Sequence, residues 1–343
     1  MLRTLALTSF LILALAQLTG SAQATPVDNV FVFGDSTVDT GWFRYKPLPA
    51  NPTLNALAAA SLADGGRIPD TPYGVGAAQV LATHFGLSAN PADAPGGGTN
   101  YAASGAQNNA SFINPNAPST VSQMGSYLTA HGGVADPNAI YLISSGGNDI
   151  KYAQTLSGAA RLNWVTNAAS ALAGAITNLQ SLGASTIIVS NGYNVGTGTP
   201  GLLRTTYVSD LFADLNADGV LYKLADVQGL ENQVFADPGA YGFTSISNAD
   251  APGGTALINP DPALITNSWA LYGTTALLRA PDAAQTSFWA DDEHFAAAAQ
   301  QLEGQLFINV VPEPATLPLF ASAIAALGLL SWRRKRKVAE STF

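Results

Sequence analysis

The sequence predicts an α/β domain, a three-layer α/β/α sandwich built on a central parallel sheet. Strand-length apolar runs of four to six residues alternate with helical stretches of ten to twenty, the order of a parallel sheet covered on both faces. Two of those runs lead into glycine-rich segments, Gly34-Asp35-Ser36 and Gly146-Gly147-Asn148-Asp149. Sheets of this kind form their sites at such carboxyl ends.

The elements follow in chain order. Residues 1–24 read as a secretory signal to be removed before fold reasoning: Arg3, an apolar run over 5–18, and the small-residue cleavage site Ala22-Gln23-Ala24. Residues 30–33 form the first strand. Residues 42–72, rich in Pro, Ala and Asn, read as a long insertion loop with a short helix at 54–62. Helical spacing over 76–85 stops at Gly86, and 91–98 is a loop. A second strand at 139–143 is closed by Ser144-Ser145-Gly146-Gly147. An alanine-rich helix at 163–182 ends at Gly183, followed by a strand at 186–189, a helix at 203–216, a strand at 219–224 and a helix at 227–235. The last helix starts near His294 and runs to about residue 307. Residues 25–310, enough for one full core, thus form a single domain.

Composition narrows the chemistry. The chain carries 14 Lys and Arg against 23 Asp and Glu, but Arg3 and the five bases of 333–337 lie outside 25–310, as do Glu313 and Glu340. The domain keeps 8 basic and 21 acidic residues, a net −13 that repels phosphate backbones and argues against nucleic acid as a partner. The absence of cysteine removes disulfides, thiol nucleophiles and cysteine zinc sites. Three histidines, His84, His131 and His294, make a multi-histidine metal centre improbable. The segment Asp214-Leu215-Asn216-Ala217-Asp218-Gly219 imitates the start of a calcium loop, yet the twelfth position is Ala225 rather than glutamate. A helix ending before a strand accounts for it more simply, and no cofactor is called for.

Phe33-Gly34-Asp35-Ser36-Thr37-Val38-Asp39-Thr40-Gly41 resembles the first block of the GDSL or SGNH hydrolase family. Three further blocks resemble that family in order: Asn100-Tyr101-Ala102-Ala103-Ser104-Gly105-Ala106, Gly146-Gly147-Asn148-Asp149, and Asp291-Asp292-Glu293-His294. The resemblance implies Ser36 as nucleophile, His294 as base and Asp291 as its orienting acid. Backbone N–H groups of Ser36 and Gly105 and the amide of Asn148 would form the oxyanion hole. Each block alone has a bland reading as a turn or a helix cap; their joint occurrence is what favours catalysis.

The residue chemistry agrees. A serine hydroxyl needs a base during attack, histidine titrates near neutrality, and a carboxylate on the far ring nitrogen stabilises the imidazolium. Asp292 and Glu293 are alternatives to Asp291 as third member. Asp35 and Asp149 are assigned to structure, and His84 and His131, in a helix end and a His-Gly-Gly loop with no partner motif nearby, are read as bystanders.

After Val311-Pro312-Glu313-Pro314 come an apolar stretch at 317–332 and Arg333-Arg334-Lys335-Arg336-Lys337. This tripartite pattern resembles the PEP-CTERM sorting signal of Gram-negative bacteria. It implies a transient membrane anchor, processing by an exosortase-type protease after signal peptidase has acted, and a final place at the cell surface or in the extracellular matrix. A plain C-terminal anchor is the other reading. The combined expectation is an exported serine hydrolase of carboxylic esters, of the lipase, esterase or phospholipase-like kind. The rivals are a deacetylase of acylated extracellular polysaccharide and a non-catalytic surface or matrix protein.

Overall fold

The computed structural model describes residues 26–45, 75–110, 112–113, 115–193, 196–246, 281–290 and 294–311. The expected leader, most of the 42–72 loop with its helix at 54–62, and the C-terminal segment beyond residue 311 therefore lie outside the described residues. Residues Val27–Val311 make one compact unit.

Among the described residues, β1 (Val30–Gly34), β2 (Ile140–Ser144), β3 (Thr186–Ser190) and β4 (Tyr222–Ala225) form a parallel sheet in chain order. The register pairs Val30 with Ile140, Ile140 with Thr186, and Ile187 with Tyr222. Side chains alternate across a strand, and both faces are covered. Phe31, Phe33, Tyr141, Ile143, Ile187 and Val189 pack with α3 (Thr120–Ala130), α4 (Gly147–Thr155), α5 (Ala159–Ser181) and α6 (Gly198–Ala217). Val30, Val32, Ile140, Leu142 and Ile188 pack instead with α2 (Ala77–His84), α7 (Val227–Ala236) and α9 (Ala297–Val310). Burying each large aliphatic or aromatic side chain contributes about 1.5–3 kcal/mol. Also among the described residues are two short helices, α1 (Trp42–Tyr45) and α8 (Ala283–Thr286), and a 3-10 turn at Pro238–Tyr241.

The free edge of β1 is taken by the segment that carries the second motif. Val32 N–H donates to Thr99 O, Tyr101 N–H to Val32 O and Ala103 N–H to Gly34 O. At the end of β1 the backbone of Gly34 turns to φ +151°, and a Cβ there would stand 1.9 Å from Ser144 O. Gly34→Ala is therefore expected to destabilise the fold by about 3 kcal/mol or more, read as a lowered urea midpoint. An unchanged midpoint would contradict the close approach of β1 to β2.

Several elements depart from the sequence expectations. Helices α5 and α6 start four and five residues early, and α9 starts at Ala297, so His294 precedes it. The fourth strand shortens because Asp218, Gly219 and Val220 still close α6, with Val220 N–H on Leu215 O; this is the segment that imitates a calcium loop. Helices α3 and α4 have no counterpart in the apolar periodicity. The reason for α3 is that its buried face includes Thr120 and Gln123 beside Met124 and Tyr127.

Candidate active site

Ser36 sits half-buried in the turn leaving β1. Asp35 N–H still donates to Ser144 O, and the N–H groups of Val38 and Asp39 both return to Asp35 O, so one tight turn carries the serine. The buried Asp35 carboxylate accepts from Thr37 N (3.1 Å) and Thr37 Oγ1 (2.9 Å), bracing that turn. From α3, Gln123 clamps the strand end through Gly34 N (2.8 Å) and Gly34 O (2.9 Å).

His294 is buried, and its Nε2 lies 2.7 Å from Ser36 Oγ across 258 residues of sequence. It is held by a short antiparallel bridge, Trp289 with Phe295, in which Ala290 N–H donates to His294 O at 2.7 Å. Phe295 is locked among Phe288, Trp289 and Tyr193. Asp291, Asp292 and Glu293 lie outside the described residues.

Asp39 ties the serine loop to the second motif. Its Oδ1 accepts from Gly41 N (2.7 Å) and Trp42 N (2.8 Å), while Oδ2 accepts from Ser104 N (3.0 Å) and Ser104 Oγ (2.6 Å). Gly105 follows directly. Asn148, in the first turn of α4, donates one amide N–H to Ala106 O at 3.0 Å, which orients the side chain against the same segment. Before α4, Gly146 adopts φ +115°, and a Cβ there would meet the Tyr207 ring at 2.3 Å.

Beneath this turn lies a buried polar hub. Asn108 donates its backbone N–H to Asp149 Oδ2 (2.9 Å) and its amide to Ala168 O (2.9 Å) and Tyr207 Oη (2.8 Å). Its Oδ1 accepts from Ser145 Oγ (2.7 Å), which pairs in turn with Thr120 Oγ1 (2.7 Å). Tyr207 donates to Ser145 O at 3.0 Å. Every polar atom of the Asn108 side chain is thus used, as a buried amide requires. On the other flank, Arg204 donates to three successive carbonyls, Asn191 O, Gly192 O and Tyr193 O, and to Gln228 Oε1. It fixes the loop after β3. Burial pulls its guanidinium below the usual value, against the fields of Glu231 and Asp226.

Asp39, Asn108, Gln123 and Arg204 are the positioning groups that sequence reasoning missed. Asp39 was the findable one, since it lies inside the first motif of a chain that is only 11% charged. His84 ends α2 with its ring edge on Phe85, and His131 caps α3 through Nδ1 and Tyr127 O.

Asp149 is fully buried, and that burial, aided by the charge of Asp35, pushes its carboxyl up to about 7 despite the Asn108 N–H. Trp164 also favours the charged form, but neither Trp164 Nε1 nor Asp149 Oδ1 has a hydrogen-bond partner among the described residues. A carboxyl raised in the folded state stabilises when protonated. Its contribution is full below about pH 4 and is lost as pH rises through about 7. Asp149→Asn is expected to flatten the decline of chemical stability between pH 4 and 7. An identical pH dependence in both proteins would count against a buried titrating carboxyl.

The arrangement joins a hydroxyl to an imidazole nitrogen, the nucleophile and base that acyl transfer needs. A family model for GDSL-like lipase/acylhydrolase matches residues 30–239, which is 210 of 343 residues and includes Ser36, Gly105 and Asn148 but stops before 291–294. A PEP-CTERM protein-sorting motif matches residues 310–336. No curated protein matches the chain. Among the described residues no helix is long and apolar enough to cross a membrane, and 317–332 lies outside them. With well over half its length matched, the chain belongs to the GDSL-like lipase/acylhydrolase family, and it carries a C-terminal PEP-CTERM sorting motif.

Proposed function

We propose that this protein is an exported serine hydrolase of carboxylic esters, acting through Ser36, His294 and Asp291. The observation that carries the reading is the 2.7 Å contact between His294 Nε2 and Ser36 Oγ at the carboxyl end of the sheet. In the reaction, Ser36 Oγ attacks the ester carbonyl carbon as His294 takes its proton. The tetrahedral oxyanion is held by the N–H groups of Ser36 and Gly105 and by the Asn148 amide. Collapse expels the alcohol, protonated by His294, and leaves an acyl-serine. Water, deprotonated by the same histidine, releases the acid and restores Ser36. Asp291 holds the ring tautomer.

The sorting motif supports export followed by C-terminal processing by an exosortase-type protease, with residues 317–332 as a transient anchor and the cell surface as destination. The basic cluster at 333–337 would keep its end cytoplasmic.

The test is cleavage of p-nitrophenyl esters of increasing acyl length, with an acetylated polysaccharide alongside. Serine-dependent cleavage of the esters is expected, and its chain-length profile separates esterase from lipase. Release of acetate from the polysaccharide alone would make the protein a deacetylase, and no turnover by folded protein would leave it a scaffold.

A further inference from the structure

Asp149 is a buried carboxyl that the proposed reaction does not use, and it stands next in sequence to Asn148. Both lie in the first turn of α4, which opens at the left-handed Gly146. Asn148 donates to Ala106 O at 3.0 Å, and Asp149 Oδ2 accepts from Asn108 N–H at 2.9 Å. Two consecutive side chains of the helix thus grip alternate residues of one segment, one as donor and the other as acceptor. A shift of the segment along the helix would lengthen these bonds, so together they set its register.

The segment held in this way carries Gly105. On its other side, Ser104 is tied to Asp39 through its N–H (3.0 Å) and its hydroxyl (2.6 Å). Gly105, at φ +81°, is therefore suspended between the serine loop and the start of α4. Further along, Thr120 N–H donates to Gln107 O and Val121 N–H to Asn108 O, both at 2.9 Å. The separation of Gly105 N–H from the Asn148 amide is thus set by what holds residues 106 and 108.

Charge makes one of those grips adjustable. A hydrogen bond to a carboxylate is roughly twice as strong as one to a neutral oxygen. Burial raises the Asp149 carboxyl to about 7, and the charge of Asp35, in the turn after β1, adds to the rise. From α6 it faces Tyr207, whose own burial raises the phenol away from ionisation, and from α5 the Trp164 indole, which favours the carboxylate. Asp149 is accordingly ionised above about pH 7 and neutral below it.

We propose that Asp149 is a positioning residue for the oxyanion hole: its carboxylate, through Asn108 N–H, draws the 105–108 segment onto α4 and sets Gly105 N–H against the Asn148 amide. The clamp itself stands on the hydrogen bonds; its effect on turnover rests on the proposed hydrolase reading.

Gln107-Asn108 is the only Gln-Asn pair in the sequence, so carbonyl-13C glutamine with 15N asparagine isolates the Asn108 N–H by NMR in the full chain. Its chemical shift should titrate with a midpoint at about 7. Asp149→Asn, which keeps an acceptor oxygen without the charge, should abolish that step. On a soluble short-chain ester, wild-type kcat should exceed that of Asp149→Asn about tenfold at about pH 9, with KM alike in both. The ratio should fall towards one at about pH 5, where the wild-type carboxyl is protonated. Both proteins keep His294, so the ratio cancels its titration. In wild type alone, the acid limb of log kcat should be steeper than one ionisation allows, a readout that stands even where Asp149→Asn does not fold.

A ratio that is the same at every pH would make Asp149 a support of the fold only and overturn the proposal. So would an Asn108 shift that does not titrate, or an acid limb of single-ionisation slope, with ester cleavage intact in each case. A titrating Asn108 in a protein that cleaves no ester would leave the clamp standing and remove the hydrolase reading.

Discussion

His294→Ala is expected to lower kcat/KM for ester cleavage by about four orders of magnitude, with Ser36→Ala equally damaging and the double variant scarcely worse. In the proposed mechanism the two side chains act as one unit. A serine hydroxyl without a base attacks poorly, and the imidazole whose Nε2 stands 2.7 Å away has no catalytic use without that hydroxyl. Their effects therefore do not add. His294→Ala keeping more than a tenth of wild-type activity would remove the base assignment. Additive losses in the double variant would mean that the two residues serve separate steps.

Asn148→Ala should lower kcat by about 10²–10³ while KM changes little, because a donor aimed at developing charge acts in the transition state rather than on bound substrate. One N–H of that amide is spent on Ala106 O, which fixes the side chain and leaves the second N–H for the proposed oxyanion contact. The urea midpoint should move little, since Asn148 is only half-buried. A raised KM at constant kcat would instead assign Asn148 to substrate binding, and a large fall in the midpoint would make it structural.

The strands and the ends of the long helices were legible because their signals are local. Val30 to Phe33, residues 140–143 and residues 186–189 are apolar runs that only a doubly covered sheet buries, and Gly86 and Gly183 stop helices where expected. Helix α3 was illegible for the opposite reason. Its inward positions include Thr120 and Gln123, polar groups buried to grip Ser145 and Gly34, so the apolar period that reveals a helix is interrupted. Helix α4 is nine residues long, begins at a left-handed glycine and buries Asp149. In both helices, polar burial serves the neighbourhood of the candidate site, and it hides the helix from periodicity.

The sequence by itself determined the fold class, the family and the residue types that carry the chemistry, because strand patterning and short motifs are written in consecutive residues. Only the tertiary structure decided which side chains meet. Parallel pairing of β1 with β2 brings the Ser36 turn beside the Gly146 turn, and the pairing of residues 99–103 with β1 brings in Ser104 and Gly105. The bridge at Trp289 and Phe295 delivers His294 to a serine 258 residues away. Asp39, Asn108 and Arg204 acquire their roles from partners up to 99 residues distant. Hydrogen bonds hold only within a few ångströms, and which groups come that close is set by packing of the whole chain, which no local pattern encodes.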